Sequence, residues 1–279
     1  SQVENFSVPA DGKYVIEVRD VHLRGGPHHV YAIRTTRAVP YFELFLDSDK
    51  TQLSPATHGA IFVRVERHNG FSGAIDLDVA HLPKGVTARC GRILSDGTDG
   101  CIVLAANADA KPDISNITVS GTEIQTAKAP TGPPLSNVAR PMQETYMPGG
   151  GRNHWPVDTH AVNVGELSDI RSIQLSTQAV TLKPGASTTI TVNFERAPGF
   201  TKNVTLDVLF QHLGTVYGNS LPKGVTIDTA ASKTLITGKA SEGQIVLKAA
   251  ADAPPIAMQQ ISVMANVSIN FVMKATYSS

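Results

Sequence analysis

Charge is scarce in this chain. Of its 279 residues only 17% are Asp, Glu, Lys or Arg, against about 25% in ordinary soluble domains. The 24 basic and 24 acidic side chains cancel to a formal net charge of zero. No Lys/Arg cluster is dense enough to follow a phosphate backbone, which argues against a nucleic-acid partner. No apolar run approaches the roughly 18 residues of a membrane span. A basic n-region and an apolar h-region are also missing. The chain opens on SQVENF, as expected of a processed or excised piece of something longer.

Motifs of catalysis are missing as well. There is no G-x-S-x-G elbow, no HExxH, no P-loop and no dinucleotide glycine fingerprint. None of the nine histidines sits beside a Ser or Cys in a context that would activate it. Cysteine occurs only at Cys90 and Cys101, with no CxxC or CxxCH, so redox and haem-attachment motifs are absent. The two flank a turn-like stretch, CGRILSDGTDGC, whose ends can approach within disulfide range. A bridge would fit an oxidising compartment; the alternative is two half-buried free thiols.

What is present suits strands and turns. Gly (23) and Pro (17) are plentiful, while aromatics make up only 6% and Trp occurs once. Most apolar content is aliphatic or β-branched, which favours many short strands over helices. In TTITVNFER, Ile190, Val192 and Phe194 alternate with polar neighbours, and in AIFVRVER the matching inward row is Ile61, Val63 and Val65. Such a period of two marks a half-buried strand in a two-layer stack. Breakers such as SPATHG, RHNG, PKG and SDGTDG recur at about the 8–12-residue spacing of an immunoglobulin-like sandwich.

The chain also repeats itself. LPKGVT stands at Leu82–Thr87 and again at Leu221–Thr226. LSPATHGAIFVRVERHNGF (from Leu53) aligns with LKPGASTTITVNFERAPGF (from Leu182) at an offset of 129. By LPKGVT the offset is 139, so the second copy carries about ten extra residues, lying within Leu209–Ser220. GCIVLAANADAKPD (from Gly100) then aligns with GQIVLKAAADAPPI (from Gly243) at 143. Conserved order with shifts in loop-like stretches predicts two copies of one fold. LPKGVT itself reads as a corner: an apolar anchor, Pro, Gly for an unusual backbone angle, then a β-branched residue entering a strand.

The expected architecture is all-β: two tandem immunoglobulin-like β-sandwiches, at 40–124 and 169–279. Ahead of them, 1–39 is expected as an arm of two strands, GKYVIEV and HHVYAIRT. Between them, the Pro/Gly-rich stretch 125–168 is expected as a connector packed on a neighbouring domain.

DGKYVIEVRD and RGGPHHVYAI resemble the last two strands of a bacterial pre-peptidase C-terminal domain, of the variety in secreted planctomycete proteins. HNGFSGAIDLDVAHLPKGVT followed by IVLAANADA resembles the immunoglobulin-like domains that follow it there. The resemblance implies a secreted, non-catalytic appendage serving adhesion, substrate binding or surface attachment. Only the final strands of the pre-peptidase domain are represented.

Three sets of residues could bind something. In HWPVDTH, an extended strand would place His154, Asp158 and His160 on one face, a donor set suited to Zn²⁺. In SDGTDG, Asp96 and Asp99 with nearby carbonyls could grip Ca²⁺, or the segment is a hairpin turn using Gly97 and Gly100 at positive φ. Arg140, Tyr146, Arg152 and Trp155, joined by Tyr217 from the inserted loop, could stack and hydrogen-bond a glycan; a loop Trp more often pins its loop to a domain face. The last strand, ANVSINFVMKATYSS, would invite strand addition if left on an edge. The expected function is a non-catalytic structural or protein-interaction module, extracellular or in the cell envelope, with other protein chains as partners. The alternative is a carbohydrate-binding accessory module.

Overall fold

The computed structural model describes residues 6–35, 37–125, 132–147, 151–166, 169–212, 215–268 and 274–278. Twenty-two strands and no helix occur among them. The first copy supplies β1 (Tyr41–Leu46), β2 (Lys50–Leu53), β3 (His58–His68), β4 (Ile75–Ala80), β5 (Val86–Cys90), β6 (Arg92–Ile93), β7 (Asp99–Ala106) and β8 (Asp113–Glu123). The following stretch supplies β9 (Ser136–Val138), β10 (Arg140–Met147), β11 (Gly151–Pro156) and β12 (His160–Val164).

These twelve strands form two facing sheets. One runs β11-β10-β1-β3-β7-β5 and the other β2-β12-β8-β4-β6, with β9 added on β8. The inward row of β3 (Ile61, Val63, Val65) meets Leu77, Val119 and Val162 of the opposite sheet in one core. The expected connector is thus part of this sandwich: β12 lies between β2 and β8, and its Val162 and Val164 are fully buried.

The second copy supplies β13 (Ile170–Leu175), β14 (Ser187–Arg196), β15 (Val204–Asp207), β16 (Phe210–His212), β17 (Thr215–Gly218), β18 (Val225–Ile227), β19 (Leu235–Ile236), β20 (Glu242–Ala249), β21 (Met264–Ser268) and β22 (Lys274–Ser278). The sheet β13-β14-β20-β18 packs on β19-β15-β21-β22 around Ile190, Val192, Phe194, Leu206 and Ile245. The tandem sandwiches expected from the alternation are therefore present, each with its own core.

The repeated hexamers sit in equivalent surroundings. Val86 N–H donates to the Pro83 carbonyl at 3.1 Å and Val225 N–H to Pro222 at 3.0 Å. The glycine between has φ 75° at Gly85 and 80° at Gly224, which a side chain would resist. The two glycine carbonyls accept from Asn107 and Ala250, both at 2.8 Å. A second duplicated device is an arginine clasp. Arg67 covers the Phe71 ring and donates to the carbonyls of Gly73 and Leu94; Arg196 covers Phe200 and donates to Lys202 and Ala240.

Two expectations about the ends need correction. Among the described residues of 6–40 none forms a strand, and GKYVIEV and HHVYAIRT run exposed without a ladder partner. Neither meets a free sheet edge, and two strands alone bury too little to hold together. ANVSINFVMKATYSS does not form one edge strand. It divides into β21 and β22, which pair with each other, and β15 closes the other side of β21. The end of β22 meets β3 through Ser278 and His58, so one ladder runs through both sandwiches.

Candidate functional site

The outward side chains of β3 begin the site. Alternation that buries Ile61, Val63 and Val65 sends Phe62 and Arg64 to the opposite face of the sheet. Phe62 is nonetheless 3% exposed, because the second sandwich covers it. The cover is the hairpin β16–β17, built from the residues that the second copy carries in excess. Phe210 stacks on Phe62 with centroids 5.8 Å apart and planes at 10°. Gly218 lies against the same ring, where a Cβ would collide with it. Met264 and Cys101 complete this small apolar cluster.

Polar contacts surround the cluster. Arg64 donates to the Tyr217 carbonyl, and the Tyr217 hydroxyl donates to Glu144 Oε1 at 3.2 Å. Gln259 donates to the carbonyls of Arg92 and Ser220, and Gln260 to those of Arg89 and Cys101. These amides satisfy carbonyls beside β5–β7, where the second sandwich has excluded water.

Beside Phe62 lies an unbalanced charge set. The Arg64 guanidinium is 3.8 Å from Asp47 Oδ2 and 3.4 Å from Asp99 Oδ1. Both carboxylates are 5% exposed. Burial pushes the Asp47 carboxyl up to about 7, against the pull of Arg64 and with the help of neighbouring Asp99. Burial raises Asp99 too, opposed by the Thr98 hydroxyl, which donates to it at 2.7 Å, and by Arg64. One cation facing two buried acids makes the junction proton-sensitive; it offers no activated nucleophile.

The residues singled out from the sequence are dispersed around this junction. No disulfide joins Cys90 and Cys101; both are free, one exposed and one buried. In the β5–β7 ladder Cys90 lies opposite Ile102, so the Cys101 side chain leaves the other face of the sheet. Burial raises both thiols, Cys101 to about 11.

The HWPVDTH donor set does not assemble. The chain leaves β11 at Pro156 and enters β12 at His160, and the two strands belong to opposite sheets. His154 packs on the Tyr217 ring at 4.8 Å, and Asp158 is exposed. His160 is fully buried: its Nδ1–H donates to the Ser48 carbonyl and its Nε2 accepts from the Thr51 hydroxyl, both at 2.9 Å. Burial lowers its pKa and favours the neutral ring, whose single lone pair is taken up by the Thr51 hydroxyl and not by a metal.

Asp96 and Asp99 do not share a Ca²⁺ loop either. Asp99 is in β7 on Arg64, whereas exposed Asp96 acts on Arg67. Neither Gly97 nor Gly100 takes positive φ; Gly100 instead permits close approach, since a Cβ there would lie 2.7 Å from the Arg92 carbonyl oxygen.

Among the described side chains the glycan set does not share one exposed platform. Tyr217 is 8% exposed and engaged in the junction, Trp155 is 58% exposed on β11, and Arg140 is exposed on β10 opposite Phe45. The side chains of Tyr146 and Arg152 lie outside the described residues. Sequence reasoning missed Asp47, Phe62, Arg64 and Phe210. A signal was available in the aligned copies: where the first has Phe62 and Arg64 at outward positions, the second has Thr191 and Asn193.

No protein-family model matches the chain, and no curated protein does. Among solved structures it is similar to the D0-D1 domain of intimin at 12% identity, covering 86% of this chain and 98% of that one, with a TM-score of 0.24. Domains 5-6 of the S-layer protein SbsC are similar at 11% identity, covering 87% and 98%, with a TM-score of 0.28. Overlaps this shallow leave the fold assignment resting on the sheets and cores described above.

Proposed function

We propose that this chain is a non-catalytic structural and protein-interaction module of a bacterial surface or secreted assembly, in which the double sandwich presents the segment before β1 to another protein. The observation that carries this is the exposure of that segment. Val15 is 94% exposed, Val21 91%, Val30 88% and Leu23 80%. Such apolar residues are ordinarily covered in a soluble protein. Tyr14, Ile16 and Val18 alternate with Val15, Glu17 and Arg19, a pattern that pairing with a sheet edge would use.

Two of the ionisable groups inside the sandwiches have structural work. His160 ties β12 to the turn before β2, and Arg64 closes the junction. The free cysteines remove one reason for assigning an oxidising compartment, and the proposal of an envelope location does not depend on a disulfide.

The test is a photo-crosslinking residue at position 15 or 30 of the full chain in its native envelope. Crosslinks to one defined protein, absent when the same residue stands at exposed position 158, support the proposal. Equal labelling from all three positions, or a chain that stays uncrosslinked and monomeric, overturns it.

A further inference from the structure

The outer face of the first sandwich carries a second set of donors beyond the end of the junction. We propose that Glu43, Glu66 and His68 form a binding site for a divalent transition-metal ion, with Zn²⁺ the best match to the ligands.

Register builds the set. In the β1–β3 ladder Glu43 lies opposite Glu66 and Tyr41 opposite His68, and alternation turns all four side chains outward. One ligand atom from each of Glu43, Glu66 and His68 lies within 4.8 Å of the others. Like charges directly opposite each other destabilise an antiparallel pair. Among the described residues, no Lys or Arg forms an ion pair with either glutamate, and the group facing Glu43 is the His68 imidazole, with Nε2 3.2 Å from Oε2.

The imidazole is positioned for ligation. Its ring stacks on Tyr41, with centroids 4.4 Å apart and planes at 11°. Nε2 is inaccessible to water and lacks a hydrogen-bond partner, although it points at the carboxylates. Tetrahedral ligation at about 2.0–2.1 Å separates donors by roughly 3.3 Å, close to the His68–Glu43 spacing. Only the exposed Glu66 side chain needs to close. A nitrogen donor with two carboxylates suits Zn²⁺ over Ca²⁺ or Mg²⁺, which prefer oxygen alone. With three protein ligands, a fourth position remains for water or an incoming group.

The duplicated fold contains its own control. At the aligned positions the second sandwich pairs Ser172 with Glu195 and has Ala197 in place of His68. The strands form there without the donor set, so this part of the sandwich does not require it.

Isothermal titration of the EDTA-treated full chain with ZnCl₂ tests the site, together with Co²⁺ absorption as a report of tetrahedral geometry. One saturable site is expected, weakened at least ten-fold by Glu66→Gln and by His68→Ala, with intense visible Co²⁺ bands lost in both variants. Glu66→Gln alters an exposed side chain and keeps the test open should His68→Ala unfold. The double variant His28→Ala/His29→Ala, in the adjacent histidine pair of the segment before β1, is expected to bind as wild type does. Absence of saturable binding, binding unchanged in Glu66→Gln, or binding lost with His28 and His29 overturns the proposal.

Discussion

The Phe62 ring of the first sandwich lies nearly parallel to Phe210 of the second, at 5.8 Å. Each comes from an element whose counterpart in the other copy differs: Phe62 aligns with Thr191, and Phe210 lies in the residues present only in the second copy. Docking therefore depends on differences between the copies, not on what they share. Phe62→Ala is expected to cost roughly 3 kcal/mol of coupling, within the usual range for emptying a buried aromatic site. Calorimetry should resolve two transitions in place of one. Gly218→Val, which drives a side chain into the same ring, should do likewise; a single unchanged transition in both variants would show that the stack does not couple the sandwiches.

Asp47 makes stability depend on pH. Its carboxyl is raised from 3.8 to about 7 in the folded chain, so the folded state holds the proton more tightly than the unfolded one. The resulting stabilisation is complete below about pH 4 and is lost as pH rises through about 7; by linkage it amounts to at most about 4 kcal/mol. Asp99, also raised, acts in the same sense. Burial lowers His58 and His160, which act oppositely, losing stability as pH falls. The informative quantity is therefore wild type minus Asp47→Asn in denaturant melts between pH 4 and 8. That difference should fall with rising pH, and a flat difference refutes the assignment.

The two corner glycines should be separately required. Besides its positive φ, Gly85 would place a Cβ 3.2 Å from Ala110 Cβ, and Gly224 one 3.0 Å from Ala253 Cβ. Gly85→Ala and Gly224→Ala are each expected to lose roughly 1–2 kcal/mol from the left-handed backbone alone. Hydrogen exchange should show the loss mainly in the sandwich that contains the substitution.

Thiol labelling checks the cysteines. Cys90 is exposed but partly desolvated, and should react slowly in the native chain, because that desolvation and nearby Asp78 raise its pKa. Cys101 should react only on unfolding, when two thiols are titrated in total. Native labelling at Cys101 would mean that the junction opens readily.

Much of each sandwich was legible in the sequence, since alternation on β3 and β14 needs only neighbouring residues to declare a buried face. LPKGVT was equally legible: its turn and its glycine conformation are local. The donor sets read from HWPVDTH and SDGTDG failed for the complementary reason. Their spacing assumed one continuous strand or loop, while Pro156 and His160 lead into different sheets and Asp99 belongs to a ladder with Arg64.

The amino-acid order by itself determined that the regular elements of both copies are strands, that the fold is written twice, and which side chains in each copy turn inward. These properties follow from backbone preference and from water acting over a few residues. Tertiary structure alone decided that β12 fills a place between β2 and β8, that Cys90 and Cys101 leave opposite faces, and that Glu43, Glu66 and His68 converge. Each depends on the register between strands far apart in the chain, and a shift of one residue would send every side chain concerned to the other face.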